Sequence, residues 1–533
     1  MNKALQTDKF NQEYPKMETI HQKLKPMKRM KGIIFIVILV LISGHLAAQD
    51  SLFVSESGKI LYKQSIENID SIRLSGTANY SLDVYKSGFI VYKRAVNDID
   101  SITFTRPTES PLSYVFDIAA LPVLTIDIST VEWNKLLTYY DINSDNEEYV
   151  RCDFAFDKNN NIATAANTGL RIRGNTSRRR PEGNRNELHN ANNPDWHHAS
   201  FAVKFNKFTK GQKMEGVEKI NLKWFKDDAM YVREVYCYDL FERFGVWTAP
   251  QSSYCRLNIK IKEDAKTAYF GVYQMVEPVD EDYLKNRKSK LRNANGFLWK
   301  AAWGADFVNA DKNRMGIENI TLTSNYTPVY DLKTNTAKLD SAKTQLVDFM
   351  TKLNNKTGND FKTWVDATMD VKLFLKTYAV SVMCGMWDDY WANKNNFYFY
   401  FDTAGKFYFI PYDYDNTLGT SLLMNNSGTQ DLLNWGNNSN PLVKKIISIP
   451  EYESLYKSYI NELANSNNNY FNASKSAARI INWQQMIRDY IPNDTGEDMQ
   501  ITDKPASWGN CGFYRLLGNS NNFFEVRAAN IPK

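Results

Sequence analysis

The chain is 533 residues long, 43% hydrophobic and 14% aromatic, with a formal net charge of +5. That apolar content is ample for packed cores and excludes global disorder, and the length suggests roughly two to four domains. The charge sits at one end: residues 1–48 hold eight Lys/Arg against Asp8, Glu13 and Glu18, so the remainder is neutral and is not a general nucleic-acid or membrane-surface binder.

Residues 1–48 read as a secretion leader, with a basic Lys23–Lys31, an apolar Gly32–Ile42 and a small-residue exit at Ser43–Ala48. The apolar run is short for a membrane span, so cleavage near Ala48 is expected, placing the mature chain outside the cell, in the periplasm or on the surface of a bacterial envelope. The five cysteines (Cys152, Cys237, Cys255, Cys384, Cys511) form no C-x-x-C pair and are expected to be mostly buried free thiols.

Residues 49–106 carry an internal repeat of period thirty: SLFVSESGKILYKQSIENIDSIRLSG recurs as SLDVYKSGFIVYKRAVNDIDSITFTR, with twelve matching positions. Each copy reads strand, Ser-Gly turn, strand, Asn/Asp turn, short strand, and neither could bury a core alone, so the two are expected to form one small all-β module. Residues 107–120 read as a linker, and the main domain as 121–533. Its first half is β-rich: strands are expected at Leu121–Ile128, Val150–Phe156, Thr168–Ile172, Phe201–Phe205, Ser253–Ile261 and Ala268–Val276, with a polar loop over Gly174–His198. Its second half is helical, with Asp228–Phe244, Ala337–Leu353, Asp370–Met386, Val443–Ile447, Tyr452–Leu463 and Ala477–Tyr490 at helical spacing. The fold class is therefore α+β, with a polar cleft between the halves.

Past the leader only His189, His197 and His198 remain, all in one loop, which argues against a Ser-His-Asp hydrolase or a His-ligated zinc enzyme. The chemistry concentrates instead in Gly385–Thr420. There Asp388 and Asp389 precede Asn393, Asn395 and Asn396; two aromatic strands follow around Thr403-Ala404-Gly405-Lys406, ending at Asp413-Tyr414-Asp415. A turn centred between Ala404 and Gly405 sets Asn396 opposite Asp413 and brings both polar clusters to the open end, a hard-oxygen site suited to Mg²⁺ and phosphate. Asp388 and Asn393 have the Asp-to-Asn spacing of a kinase catalytic loop, with Asp388 as base, Asp389 in reserve, Asp413 and Asp415 as metal ligands and either Asn393 or Asn396 as the amide ligand. Two other classes remain open: a surface adhesion or carbohydrate-binding protein, given 31 Tyr and 12 Trp, and a glycosidase using Asp388 and Asp413.

Five stretches in order resemble the CotH-type secreted atypical protein kinases, related to the spore-coat kinase. They are LPVLTIDI, LRIRGNTS, INLKWFKDDAMYVREVYCYDLFERFGV, YFGVYQMVEPVDEDYL and WDDYWANKNNFYFYFDTAGKFYFIPYDYDNTLG, where the family's Pro-Trp-Asp-x-Asp reads Pro-Tyr412-Asp413-Tyr414-Asp415. The resemblance implies a kinase-like two-part fold that uses ATP with Mg²⁺ or Mn²⁺ to phosphorylate Ser or Thr of an envelope or extracellular protein. On it, Lys204 is the phosphate-contacting lysine, Glu277 orients that lysine or binds metal, and Arg173 and Asn175 approach the phosphates. Asp228 and Arg233 could line the cleft, but a helix cap and a solvated face are the readings favoured for them.

Overall fold

The computed structural model describes residues 51–56, 59–65, 69, 71–75, 81–87, 89–99, 101–103, 111–420, 427–436, 440–491, 516–517 and 522–531. The leader and Cys511 lie outside the described residues. The chain forms two compact units, Met1–Thr108 and Glu109–Lys533.

In the first unit, one copy of the repeat supplies β1 (Ser51–Glu56), β2 (Lys59–Ser65) and β3 (Ser71–Ser75), and the other β4 (Ser81–Lys86), β5 (Phe89–Ala95) and β6 (Ser101–Thr103). The copies exchange their third strands, giving sheets β2-β1-β6 and β3-β4-β5. Equivalent residues do equivalent work: Leu52 and Val54 are buried as Leu82 and Val84 are, bulges recur at Val54/Ser55 and Val84/Tyr85, and Tyr62 stacks on Tyr92 at 4.2 Å. Each third strand finds its partner in the other copy, so the two copies fold as one module.

The second unit is a mixed α+β body. Its start, read from the sequence as a linker, carries α1 (Pro111–Val115), and Val115 and Phe116 are buried. A closed barrel follows, built from β7 (Val123–Ile128), β8 (Val150–Lys158), β9 (Asn161–Arg173), β10 (Ser200–Lys204), β11 (Lys219–Lys223), β12 (Ser252–Ile261) and β13 (Ala268–Val276) in the order β10-β11-β13-β12-β7-β8-β9. Alternation fills it: Leu124, Ile126 and Ile128 of β7 and Ile220 and Leu222 of β11 are fully or almost fully buried in one core. Helix α2 (Thr130–Ile142) begins at Ser129, whose hydroxyl accepts from the Glu132 N–H at 3.3 Å, and it buries Trp133, Leu136 and Leu137.

β12 and β13 serve two cores. Leu257, Phe270 and Met275 face the barrel, whereas Tyr254, Val272 and Val276 face a second core shared with α3 (Arg233–Arg243). After the short α4 (Glu281–Asn286), β14 (Phe297–Ala301) joins a five-stranded sheet with β15 (Met315–Gly316), beside the small pair β16 (Asn319–Ile320) and β17 (Asn325–Tyr326). With β18 (Tyr330–Leu332), β19 (Phe397–Phe401) and β20 (Phe407–Pro411), the order is β15-β18-β14-β19-β20. Helices α5 (Leu339–Asn355), α6 (Gly358–Thr368), α7 (Val371–Met383), α8 (Pro441–Ile447), α9 (Pro450–Ala464), α10 (Ala473–Ile487) and α11 (Phe523–Ala529) complete it. Among the described residues no helix is long and apolar enough to cross a membrane.

The polar loop between β9 and β10 is anchored by its histidine. His189 places Nδ1 2.9 Å from Glu182 and Nε2 3.0 Å from Asp264, and Glu182 also accepts from the Trp133 indole at 2.6 Å. Burial alone would lower the imidazole's pKa, but the hydrogen bonds and charges of Asp264 and Glu182 outweigh it and raise it above the ordinary value. A raised histidine pKa stabilises fully below the unfolded value, about 6.5, and that contribution is lost as pH rises through the folded value. The wild type is therefore expected to lose melting temperature between pH 6 and 9 more steeply than His189→Gln; parallel curves would show that the triad carries no proton-linked stability.

Candidate active site

Three elements meet at one buried ammonium. Ile220 and Leu222 point into the barrel, so the alternation of β11 turns Lys223 outwards, towards α3 and the segment after β20. Lys223 Nζ lies 2.5 Å from Glu234, 2.5 Å from Asp413 and 3.6 Å from Asp415. Helix α3 is aimed by Asp228, whose carboxylate accepts the N–H groups of Val232 (2.7 Å) and Arg233 (2.8 Å) and pairs with the fully buried Arg233 guanidinium. Asp228 thus holds the helix start, as the cap reading expected, whereas Arg233 is not on a solvated face: its guanidinium is fully buried because the Asp228 carboxylate pairs with it. One turn apart on α3, Glu234 accepts the Tyr414 N–H at 3.1 Å and the Tyr238 hydroxyl accepts the Asp413 N–H at 3.0 Å. The helix therefore fixes the backbone that carries both aspartates.

The β19–β20 hairpin forms, but in a register one residue from that expected: Phe397 pairs with Pro411, and the Asp402 N–H donates to the Lys406 carbonyl. Asn396 consequently lies opposite Tyr412, not Asp413. The cause is a three-residue loop in which Gly405 adopts φ +83 and the Asp402 side chain accepts the N–H groups of Ala404 and Lys406, whereas the expected register assumed a two-residue turn.

Asp388 follows α7, which ends where Gly385 takes φ +71 and the Met386 N–H reaches back to the Ser381 carbonyl at 3.0 Å. The Asp388 carboxylate accepts from the amides of Asn393 (2.5 Å) and Asn396 (3.0 Å). Burial raises its pKa, the charge of Asp413 adds to this, and the amides of Asn393, Asn395 and Asn396 only partly oppose it. Asp389 is 1% exposed and bound to the Trp391 N–H (3.0 Å) and the Tyr414 hydroxyl (3.2 Å), so it braces the turn from behind.

The remaining candidates divide. Arg173 reaches the group, its guanidinium donating to the Tyr412 hydroxyl at 3.1 Å, while Asn175 is exposed in the following loop, its carbonyl accepting from the Arg178 N–H. Lys204 pairs with Lys219 at the far end of β11, about 13 Å from Lys223 along the strand. Glu277 is buried against Arg287 at 2.8 and 2.7 Å and accepts the Gln251 N–H, so it orients an arginine and not the cleft lysine. The lysine and glutamate that the structure brings to Asp413 are Lys223 and Glu234. Both stood inside the quoted INLKWF…VREVY stretch, where an N-x-K on one face of a short strand was the available signal.

Electrostatically, Glu234, Asp388, Asp413 and Asp415 face Lys223 and Arg173. Burial would raise Asp413, but Lys223 and Arg173 hold it below the usual carboxylate range; Asp415, less closely paired, is pushed well above it by burial and by repulsion from Asp413, Glu234 and Asp388. The cluster is short of positive charge. Among the described residues no three His, Cys, Asp or Glu side chains close into a metal cage; Asp413 and Asp415 make a two-carboxylate donor set, the number Mg²⁺ takes when phosphate oxygens complete its shell. The Asp413 and Asp415 side chains remain 33% and 42% exposed, so the site opens to solvent on their side.

A family model described as CotH kinase protein matches residues 170–523, a span containing Arg173, Lys223, Glu234, Asp388, Asp413 and Asp415. No curated protein matches the chain.

Removing one member of a buried ion cluster strands its partners, so Lys223→Met is expected to cost about 3–5 kcal/mol in denaturant unfolding. Lys204→Met, on the same barrel but outside the cluster, is expected to stay within about 0.5 kcal/mol. Equal losses would mean that Lys223 is not the residue on which the cluster depends.

Proposed function

The chain belongs to the CotH kinase protein family, and on that premise we propose that it is a kinase-like phosphotransferase moving the γ-phosphoryl group of ATP to a Ser or Thr hydroxyl of an envelope or extracellular protein. The observation that carries the reading is Lys223 held between Glu234 and Asp413 beside Asp388, which assembles a lysine, its helix-borne glutamate, an Asp-x-Asp and a base around one cleft. The barrel stands as the half that covers the nucleotide and the helical body as the half that carries the base.

In this reading the Asp388 carboxylate accepts the proton of the acceptor hydroxyl, whose oxygen bonds to the γ-phosphorus as the bond to the β,γ-bridging oxygen breaks and ADP leaves. Lys223 and Arg173 neutralise phosphate oxygens. Asp413 and Asp415 would hold Mg²⁺ or Mn²⁺, which supplies further charge neutralisation at the phosphates. Of the two candidate amides, Asn393 already accepts the Trp303 indole N–H on its carbonyl oxygen at 3.3 Å, which favours Asn396 as the amide ligand. The leader supports secretion or residence in the envelope, where the acceptor requires a local nucleotide source.

Purified mature chain with Mg²⁺ or Mn²⁺ and labelled ATP is expected to label Ser/Thr. Asp413→Ala and Asp388→Asn should abolish this, and Lys204→Met should retain it; labelling unchanged in Asp413→Ala would sink the assignment. Because the base must be ionised, turnover should fall as pH drops through the raised Asp388 pKa. Asn393→Ala, which removes an opposing hydrogen bond, should move that limb to higher pH.

A further inference from the structure

Isolated surface aromatics are ordinary, but Trp303 is both exposed and tied to the cleft. Its side chain is 72% exposed, while its indole N–H donates to Asn393 Oδ1 at 3.3 Å and the Asn393 amide donates to Asp388 at 2.5 Å. The backbone around it is anchored to the same loop: the N–H groups of Gly304 and Ala305 both donate to the Lys394 carbonyl, at 2.9 and 3.1 Å. Gly304 adopts φ +91, and the Arg314 guanidinium caps the Gly304 carbonyl. Two residues earlier, Ala301 closes the ladder between β14 and β19 opposite Phe397. A large apolar face is therefore held in solvent at a fixed place beside the proposed base, with only its N–H satisfied by the protein.

Resting on the phosphotransfer reading, we propose that Trp303 is the acceptor-docking platform: the substrate is an extended polypeptide segment that lays a large apolar side chain on the indole face. The spacing sets the occupant. The indole nitrogen lies within roughly 8 Å of the Asp388 carboxylate through Asn393, a span of about two residues of extended chain. A hydroxyl presented to Asp388 thus places the side chain two positions away over Trp303, on the same side of an extended strand. The hydrogen bond to Asn393 gives Trp303 a second role as a positioning residue for the amide that holds the base.

The test uses full-length mature chain, Mg²⁺ and labelled ATP on peptides with a central Ser and one flanking position fixed at a time, alongside an oligosaccharide array. Selection for Trp, Phe or Leu two residues from the Ser is expected. Trp303→Ala should raise KM for the selected peptide about tenfold while KM for ATP and the thermal unfolding temperature stay as in wild type. Trp303→Phe should keep the selection, since it retains the ring, but lower kcat, since it loses the N–H that positions Asn393; an unchanged kcat would remove the positioning role. Selection that is flat in wild type, or that survives Trp303→Ala, overturns the platform and leaves phosphotransfer standing; label appearing on sugars in place of peptides does the same. No label on any acceptor from wild type removes the phosphotransfer reading and the platform with it.

Discussion

Everything near the cleft is arranged around the Lys223 ammonium. Taking an ammonium out of water costs several kcal/mol unless the charge is paired and its hydrogen bonds are met. Glu234 and Asp413 do this from two directions, and in doing so join the barrel, α3 and the hairpin. The burial that makes the lysine expensive also makes its partners hard to dispense with. The pairing is nonetheless lopsided: Asp388 and Asp415 add carboxylates that Lys223 and Arg173 do not balance, and burial, with repulsion from Asp413, Glu234 and Asp388, pushes Asp415 towards its neutral form.

The parts legible in the sequence were those that local pattern determines. The aromatic hairpin, the Asp388–Asn393 pair beside it and most barrel strands follow from period-two alternation and turn residues. The register was missed by one residue because Thr403-Ala404-Gly405-Lys406 does not announce whether its glycine closes a two-residue turn or the αL corner of a three-residue one. Lys223 was passed over for Lys204 for a related reason. FAVKF reads as a strand on its own, whereas KINLK is five residues with three polar ones and becomes a strand only by pairing with β10 and β13. Glu277 looked available because Arg287, the residue that claims it, lies ten positions downstream beyond a helix start. For Lys223 the pairing of β11 with β10 and β13 decided, and for Glu277 a partner ten positions on, whereas the register turned on the local loop itself.

The repeat module shows the same rule from the other side. Its period of thirty predicted two similar units, and the equivalence of Leu52 with Leu82 and of Tyr62 with Tyr92 is what that period demands. The exchange of β3 and β6 between copies is not written in the period, since the third strands could equally close on their own hairpins.

Three non-glycine residues at the cleft, Lys394 (φ +57), Asn396 (φ +50) and Asp413 (φ +62), sit in the left-handed region. Asn and Asp enter it at modest cost and Lys at more, so the conformations persist only where the surroundings hold them. The holding contacts are identifiable. Lys394 gives its carbonyl to Gly304 and Ala305, Asn396 gives its amide to Asp388, and Asp413 gives its N–H to Tyr238 and its carboxylate to Lys223. The three left-handed turns thus swing four groups into contacts with four different elements: the β14 loop, the α7 exit, α3 and β11. Relaxing any one would release its strain but also uncouple Asp388 from Asp413 and Asp415. The strain and the buried ion cluster are therefore two expressions of one constraint, which is that four separately folded segments must deliver their polar atoms to a single open cleft.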